Sequence, residues 1–254
     1  MKVAAKMVVI VMMMSFVAVC AYAGDLDPTE GPTTGTMHTL TEIYDLVQDT
    51  NVKVTGAPVA KTGQTLCYNE SGTVIPCADT GQDGDLQKGV AIPNPRFTIN
   101  LNDADDSDGT VTDNLTGLIW LKDANAADTS GYDTDGAVTW ENAFDFINKL
   151  NDGVYGTDSS GNCGQSDWRL PNLFELESLR NMVFYNPCIS NTVGIGQWIA
   201  GDPFDNVQSS YYWSGTTYAR NTGYAWDVSM FNGYVNFNNK TNTYYVWPVR
   251  GGND

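Results

Sequence analysis

YYWSGTTYARNTGYAWDVSMFNGYVNFNNKTNTYYVWPVR, residues 211–250, decides the architecture. Aromatic and β-branched residues come in short runs at 211–214, 224–230, 234–238 and 244–250, broken by Gly, Asn and Thr, which is the pattern of strands joined by tight turns. Phe231-Asn232-Gly233, between the second and third runs, is a hairpin signal of the Asn-Gly kind. Upstream, the runs at 96–99, 110–113 and 118–122 also read as strands. Two stretches have helical spacing instead. In TWENAFDFINKL (139–150), Trp140, Ala143, Phe144, Ile147 and Leu150 form one apolar stripe. NLFELESLRNMV (172–183) follows Pro171 and buries Leu173, Leu176, Leu179 and Met182 or Val183. The expected class is α+β, an irregular and mostly antiparallel sheet with two helices against it and long loops. Residues 59–254 suit a single domain, and the chain's seven tryptophans supply large apolar side chains for its core.

The first 23 residues read as an export signal. Lys2 and Lys6 precede an apolar run, and Ala21-Tyr22-Ala23 places small residues where a signal peptidase reads, so cleavage is expected before Gly24. The apolar run is too short to cross a hydrocarbon core that needs about twenty residues, so no transmembrane span is expected. A second reading takes Cys20 as the acylated residue of a lipoprotein, although the valine before it departs from that signal. Residues 24–58 form a flexible leader holding one amphipathic stretch, 37–51. There Leu40, Ile43, Leu46 and Val47 share a face that packs either on the domain or on copies of itself, as a homo-oligomer.

Cleavage removes two lysines and Cys20, moving the formal charge from −17 to −19 and leaving four cysteines. An even number in an exported chain points to disulfides, and Cys67 with Cys77 and Cys163 with Cys188 is the pairing that closes short loops. A thiolate zinc site is disfavoured, because there is no Cys-x-x-Cys and His38 is the lone histidine. So acidic a surface repels phosphate backbones, which excludes nucleic acid as a partner.

Seven motifs occur in one order: KTGQT (61–65), DGDLQKGVA (83–91), PRFT (95–98), DGTVTDNLTGLIW (108–120), SDWRLPN (166–172), YYWSGT (211–216) and YYVWPVRGG (244–252). In these the chain resembles the DUF1566, or Lcl C-terminal domain, family, named after a collagen-like surface adhesin. The resemblance covers about three quarters of the sequence. It implies a C-type-lectin-like fold, related to formylglycine-generating enzymes and to the variable proteins of diversity-generating retroelements, with roles in adhesion and in glycan or protein binding.

Residue chemistry divides the motifs into platform and surface. Trp120, Trp168, Trp213 and Trp247 are expected in the core, with Arg169 and Arg250 making fixed hydrogen bonds to carbonyls or a carboxylate. The remaining segment, 216–243, crowds Tyr218, Arg220, Asn221, Tyr224, Trp226, Asp227, Tyr234, Asn236, Asn238 and Asn239 together. Tyr and Asn give rigid amphipathic area and adaptable hydrogen bonds, and such rings stack on sugars as readily as on protein. This is the expected ligand-binding surface for an extracellular glycan or protein.

Asp103, Asp105, Asp106 and Asp108 form an acidic run that could take calcium with help from Asp128, Asp133 or Asp135, or simply stay solvated. No other cofactor is expected. Catalysis is not expected either: no cysteine follows Cys188, and neither a Gly-x-Ser-x-Gly elbow nor a phosphate loop occurs. Three roles from different classes follow: a surface adhesin or binder, a structural subunit assembled through the N-terminal helix, and, last, an enzyme.

Overall fold

The computed structural model describes residues 59–102, 107–155 and 164–251, all within one compact unit, Ala57–Asp254. The export signal, Cys20, the amphipathic stretch 37–51, Cys163 and Asp103, Asp105 and Asp106 lie outside the described residues.

Strands β1 (Cys67–Tyr68) and β2 (Val74–Ile75) and helix α1 (Asp83–Leu86) form a small lobe. A disulfide between Cys67 and Cys77 staples it, as the spacing of the cysteines predicts. Gly84 sits so close that a side chain there would meet the Leu66 carbonyl oxygen at 2.3 Å, which explains the glycine in the DGDL motif.

The main body has two antiparallel sheets. One is built from β3 (Phe97–Leu101), β4 (Ser107–Asp113), β5 (Ile119–Leu121) and β9 (Val249–Arg250), in the order β3-β4-β5-β9. The other, β6-β7-β8, consists of β6 (Tyr211–Thr217), β7 (Tyr224–Ser229) and β8 (Val235–Asn239). Helix α2 (Ala126–Thr129) follows β5, and α3 (Trp140–Asn151) and α4 (Leu173–Ser178) follow in turn. The α+β class expected from the sequence is the one observed.

Two buried clusters hold these parts together, and the strands alternate between them. Tyr212, Val228, Trp120, Trp247 and Val249 join one cluster with Leu176 and Leu179 of the α4 region. Trp213, Ala225, Leu121 and Val246 join the other with Ala143, Phe146, Ile147 and Leu150 of α3. Neighbouring residues of a strand point to opposite faces, so β5, β6 and β7 each contribute to both clusters. The buried indoles also anchor loops: Trp213 Nε1 donates to the Val138 carbonyl and Trp247 Nε1 to that of Leu121, each at 2.9 Å.

Several expectations are corrected. The α3 stripe is Ala143, Phe146, Ile147 and Leu150, whereas Trp140 and Phe144 stay half-buried with their rings edge to face. Helix α4 ends at Ser178, five residues early. Beyond it Arg180 bridges Ile189 and the Asn181 N–H donates to the Cys188 carbonyl, so long-range pairing replaces the helical bonds and leaves Met182 and Val183 about half exposed. Only Val249–Arg250 of the expected last strand is a strand, while Tyr244 and Tyr245 make isolated bridges to Val138 and Tyr212. Cys188 carries a free buried thiol 3.6 Å from the Ser229 carbonyl, and burial pushes its pKa up to about 11, while its expected partner Cys163 lies outside the described residues.

A candidate ligand surface on the three-stranded sheet

The register of β7 with β8 sorts the expected site residues by face. Trp226 lies opposite Phe237, Tyr224 opposite Asn239 and Val228 opposite Val235; Asp227 lies opposite Asn236 and Ala225 opposite Asn238. Residues directly opposite each other share a face. The first three pairs therefore line one side of the sheet and the last two the other.

On the first side, beyond the cluster that takes Val228, four rings meet. Tyr218 and Phe237 stack in parallel with centroids 4.1 Å apart, and Trp226 stands perpendicular to Tyr218 at 5.4 Å and nearly so to Phe237 at 5.6 Å. Tyr224 reaches Phe237 edge-on at 6.2 Å. None of the four is fully buried, unlike Tyr212 and Trp213 on the neighbouring strand. Tyr218 donates its backbone N–H to the Tyr224 carbonyl, and the turn closed by that bond carries Arg220 and Asn221 into solvent. Arg220 makes no ion pair among the described residues. Phe237 was missed by sequence reasoning, which favoured the polar members of its strand; counting back across the Asn-Gly hairpin from Trp226 would have found it.

The second side is different in kind. Asp227 is fully buried, with Oδ2 accepting from Asn238 Nδ2 at 2.9 Å and Oδ1 without a partner among the described residues. Burial raises its pKa to about 6. Asp227 and Asn238 thus tie β7 to β8, Asp227 itself is closed to a ligand, and Asn236 shares their face. Tyr234 is exposed at the hairpin end, where the Asn232 side chain and the positive φ of Gly233 shape the loop. The expected set is therefore split: Tyr218, Tyr224 and Trp226, with Phe237 added, form one patch flanked by Arg220 and Asn221, while Asp227, Asn236, Asn238 and Tyr234 lie apart from it.

The expected platform residues sit as follows. Trp120, Trp168, Trp213 and Trp247 are buried. Arg169 grips Glu175 with two bonds of 2.7 Å and donates to the Gly251 carbonyl, and Glu175 in turn closes a capping box with Asn172 at the start of α4. Arg250 pairs with Asp167 at 2.7 Å. A buried fork unforeseen from the sequence joins Arg96 to Asp113 by two bonds of 2.8 Å, with the Ser178 carbonyl as a third acceptor.

Of the calcium candidates, Asp108 is described, and its Oδ1 accepts from the backbone N–H and hydroxyl of Thr110. Asp133 and Asp135 likewise accept backbone N–H groups of their own loop, and Asp128 accepts from Asn125. Among the described residues no group of three or more His, Cys, Asp or Glu side chains is arranged to hold a metal ion. No described helix is long and apolar enough to cross a membrane.

A family model for the Lcl C-terminal domain matches residues 109–250. No curated protein matches the chain.

Proposed function

Because the chain belongs to the Lcl C-terminal domain family, whose model spans more than half of it, we propose that it is an exported, surface or secreted protein that binds an extracellular glycan or protein and catalyses no reaction. The observation that carries this reading is the ring cluster of Tyr218, Tyr224, Trp226 and Phe237, which stays partly open to solvent beside Arg220 and Asn221. Amphipathic aromatics on a rigid sheet supply contact area at little entropic cost, and the flanking guanidinium and amide supply orientation.

Charge supports the same face. Between residues 206 and 251 Asp227 is the sole acidic residue, although the chain holds 30. With that carboxylate buried, the sheet presents no exposed carboxylate to repel an acidic partner.

The test is binding of the exported chain to arrayed glycans and extracellular-matrix proteins, with calcium and again with chelator. The reading expects a saturable hit that Trp226→Ala weakens about tenfold to a hundredfold. A blank array under both conditions would turn the assignment towards a structural subunit.

A further inference from the structure

Among the described residues no strand pairs with the outer edge of β8. Bonds from Ser229 N–H to the Tyr234 carbonyl and from Lys240 N–H to the Gly223 carbonyl fix the phase of the β7–β8 ladder. Alternation then turns the backbone groups of Asn236 and Asn238 towards β7, and those of Val235 and Phe237 away from it. Among the described residues the outward N–H and C=O groups of Val235 and Phe237 have no partner. Natural edges are usually blunted by a charge, a proline or a bulge. Val235–Asn239 contains no charged residue and no proline, and its five consecutive pairs with β7 run without a register shift.

We propose that this edge pairs with itself: two copies of the chain join β8 to β8 antiparallel about a two-fold axis at Phe237, making one continuous sheet with three strands from each copy. At that register Phe237 faces its own copy and exchanges two N–H···O bonds with it. Asn236 faces Asn238, whose amides are self-complementary, and Val235 faces Asn239. An isologous contact needs a patch that complements itself, and a neutral Val-Asn-Phe-Asn-Asn strand does so where a charged one would not. Charge favours the second copy as occupant, because the chain carries a net −17 while the lone carboxylate of this sheet, Asp227, is buried, so two copies meet there without opposing carboxylates. The faces of the sheet stay open, and the ring clusters of the two copies become one extended surface. The inference does not depend on what that surface binds.

Sedimentation and amide hydrogen exchange on the exported chain test it. A concentration-dependent dimer is expected, in which the Val235 and Phe237 amides exchange at least a hundredfold more slowly than in the dilute monomer. Phe237→Lys, which opposes two ammonium groups across the axis, should raise the dissociation constant at least tenfold with the near-ultraviolet spectrum retained. A monomer at every concentration overturns the proposal. So does a dimer whose Val235 and Phe237 amides exchange freely, which would point to residues 37–51, and so does protection that appears only when another protein is added. Exchange is read on the unaltered chain, so a variant that fails to fold leaves the test intact.

Discussion

Asp227 sits in the middle of the three-stranded sheet with one carboxylate oxygen bonded to Asn238 and the other without a hydrogen-bond partner among the described residues. Its pKa, raised to about 6 by burial, makes the neutral acid the form the fold prefers. The stability this group adds is complete below its unfolded value near pH 4 and is lost as the pH rises through 6. The gap of about two units corresponds to about 3 kcal/mol between pH 4 and pH 8. Asp227→Asn should flatten that part of the stability profile and raise the denaturation midpoint at pH 8. An unchanged profile in urea titrations at the two pH values would show that the carboxylate is solvated. The Arg96–Asp113 fork is an ion pair with both side chains buried. Removing one partner strands the other, so Arg96→Ala should cost about 3–5 kcal/mol in the same titrations. Cys188, buried and with its thiol pKa pushed up to about 11, should resist a thiol reagent in the folded protein and react on denaturation.

At the scale of elements, legibility in the sequence tracked local pattern. The strands at 97–101, 119–121 and 224–229 and the start of α3 at its Thr139 cap announce themselves through alternation, periodicity and capping residues. What escaped was set by partners far along the chain. Helix α4 stops early because Arg180 and Asn181 find Cys188 and Ile189, and no periodicity within 172–183 encodes that. The Arg96–Asp113 fork spans 17 residues and two motifs whose spacing carries no charge signal. The split of the ligand residues could have been foreseen, since an antiparallel register sends successive residues to opposite faces, whereas the burial of Asp227 depends on the cluster formed with α3. In the small lobe, reducing the Cys67–Cys77 bond releases a loop of 10 residues, for which chain entropy gives a loss of about 2–3 kcal/mol. Reduction should therefore add cleavages near β1 and β2 to the digest of the oxidised protein, and a digest unchanged by reductant would contradict this.

Over the whole molecule, acidity and aromatic content are separated in sequence. Carboxylates crowd residues 79–145, while residues 206–251 hold rings, amides and the single buried Asp227. Strands β6 and β7 of that second region feed both buried clusters, and the same alternation that buries Tyr212 and Trp213 leaves Tyr218, Trp226 and Phe237 at the open end of one face. The most direct test of that face as the ligand surface is a paired measurement of affinity and melting temperature. It compares Tyr218→Ala, Trp226→Ala, Phe237→Ala and, from the other face, Asn236→Ala against an arrayed ligand. The first three should lose about tenfold or more in affinity while melting within a few degrees of the parent, and Asn236→Ala should bind as the parent does. Affinity retained in all three ring variants, or lost equally in Asn236→Ala, would contradict the account.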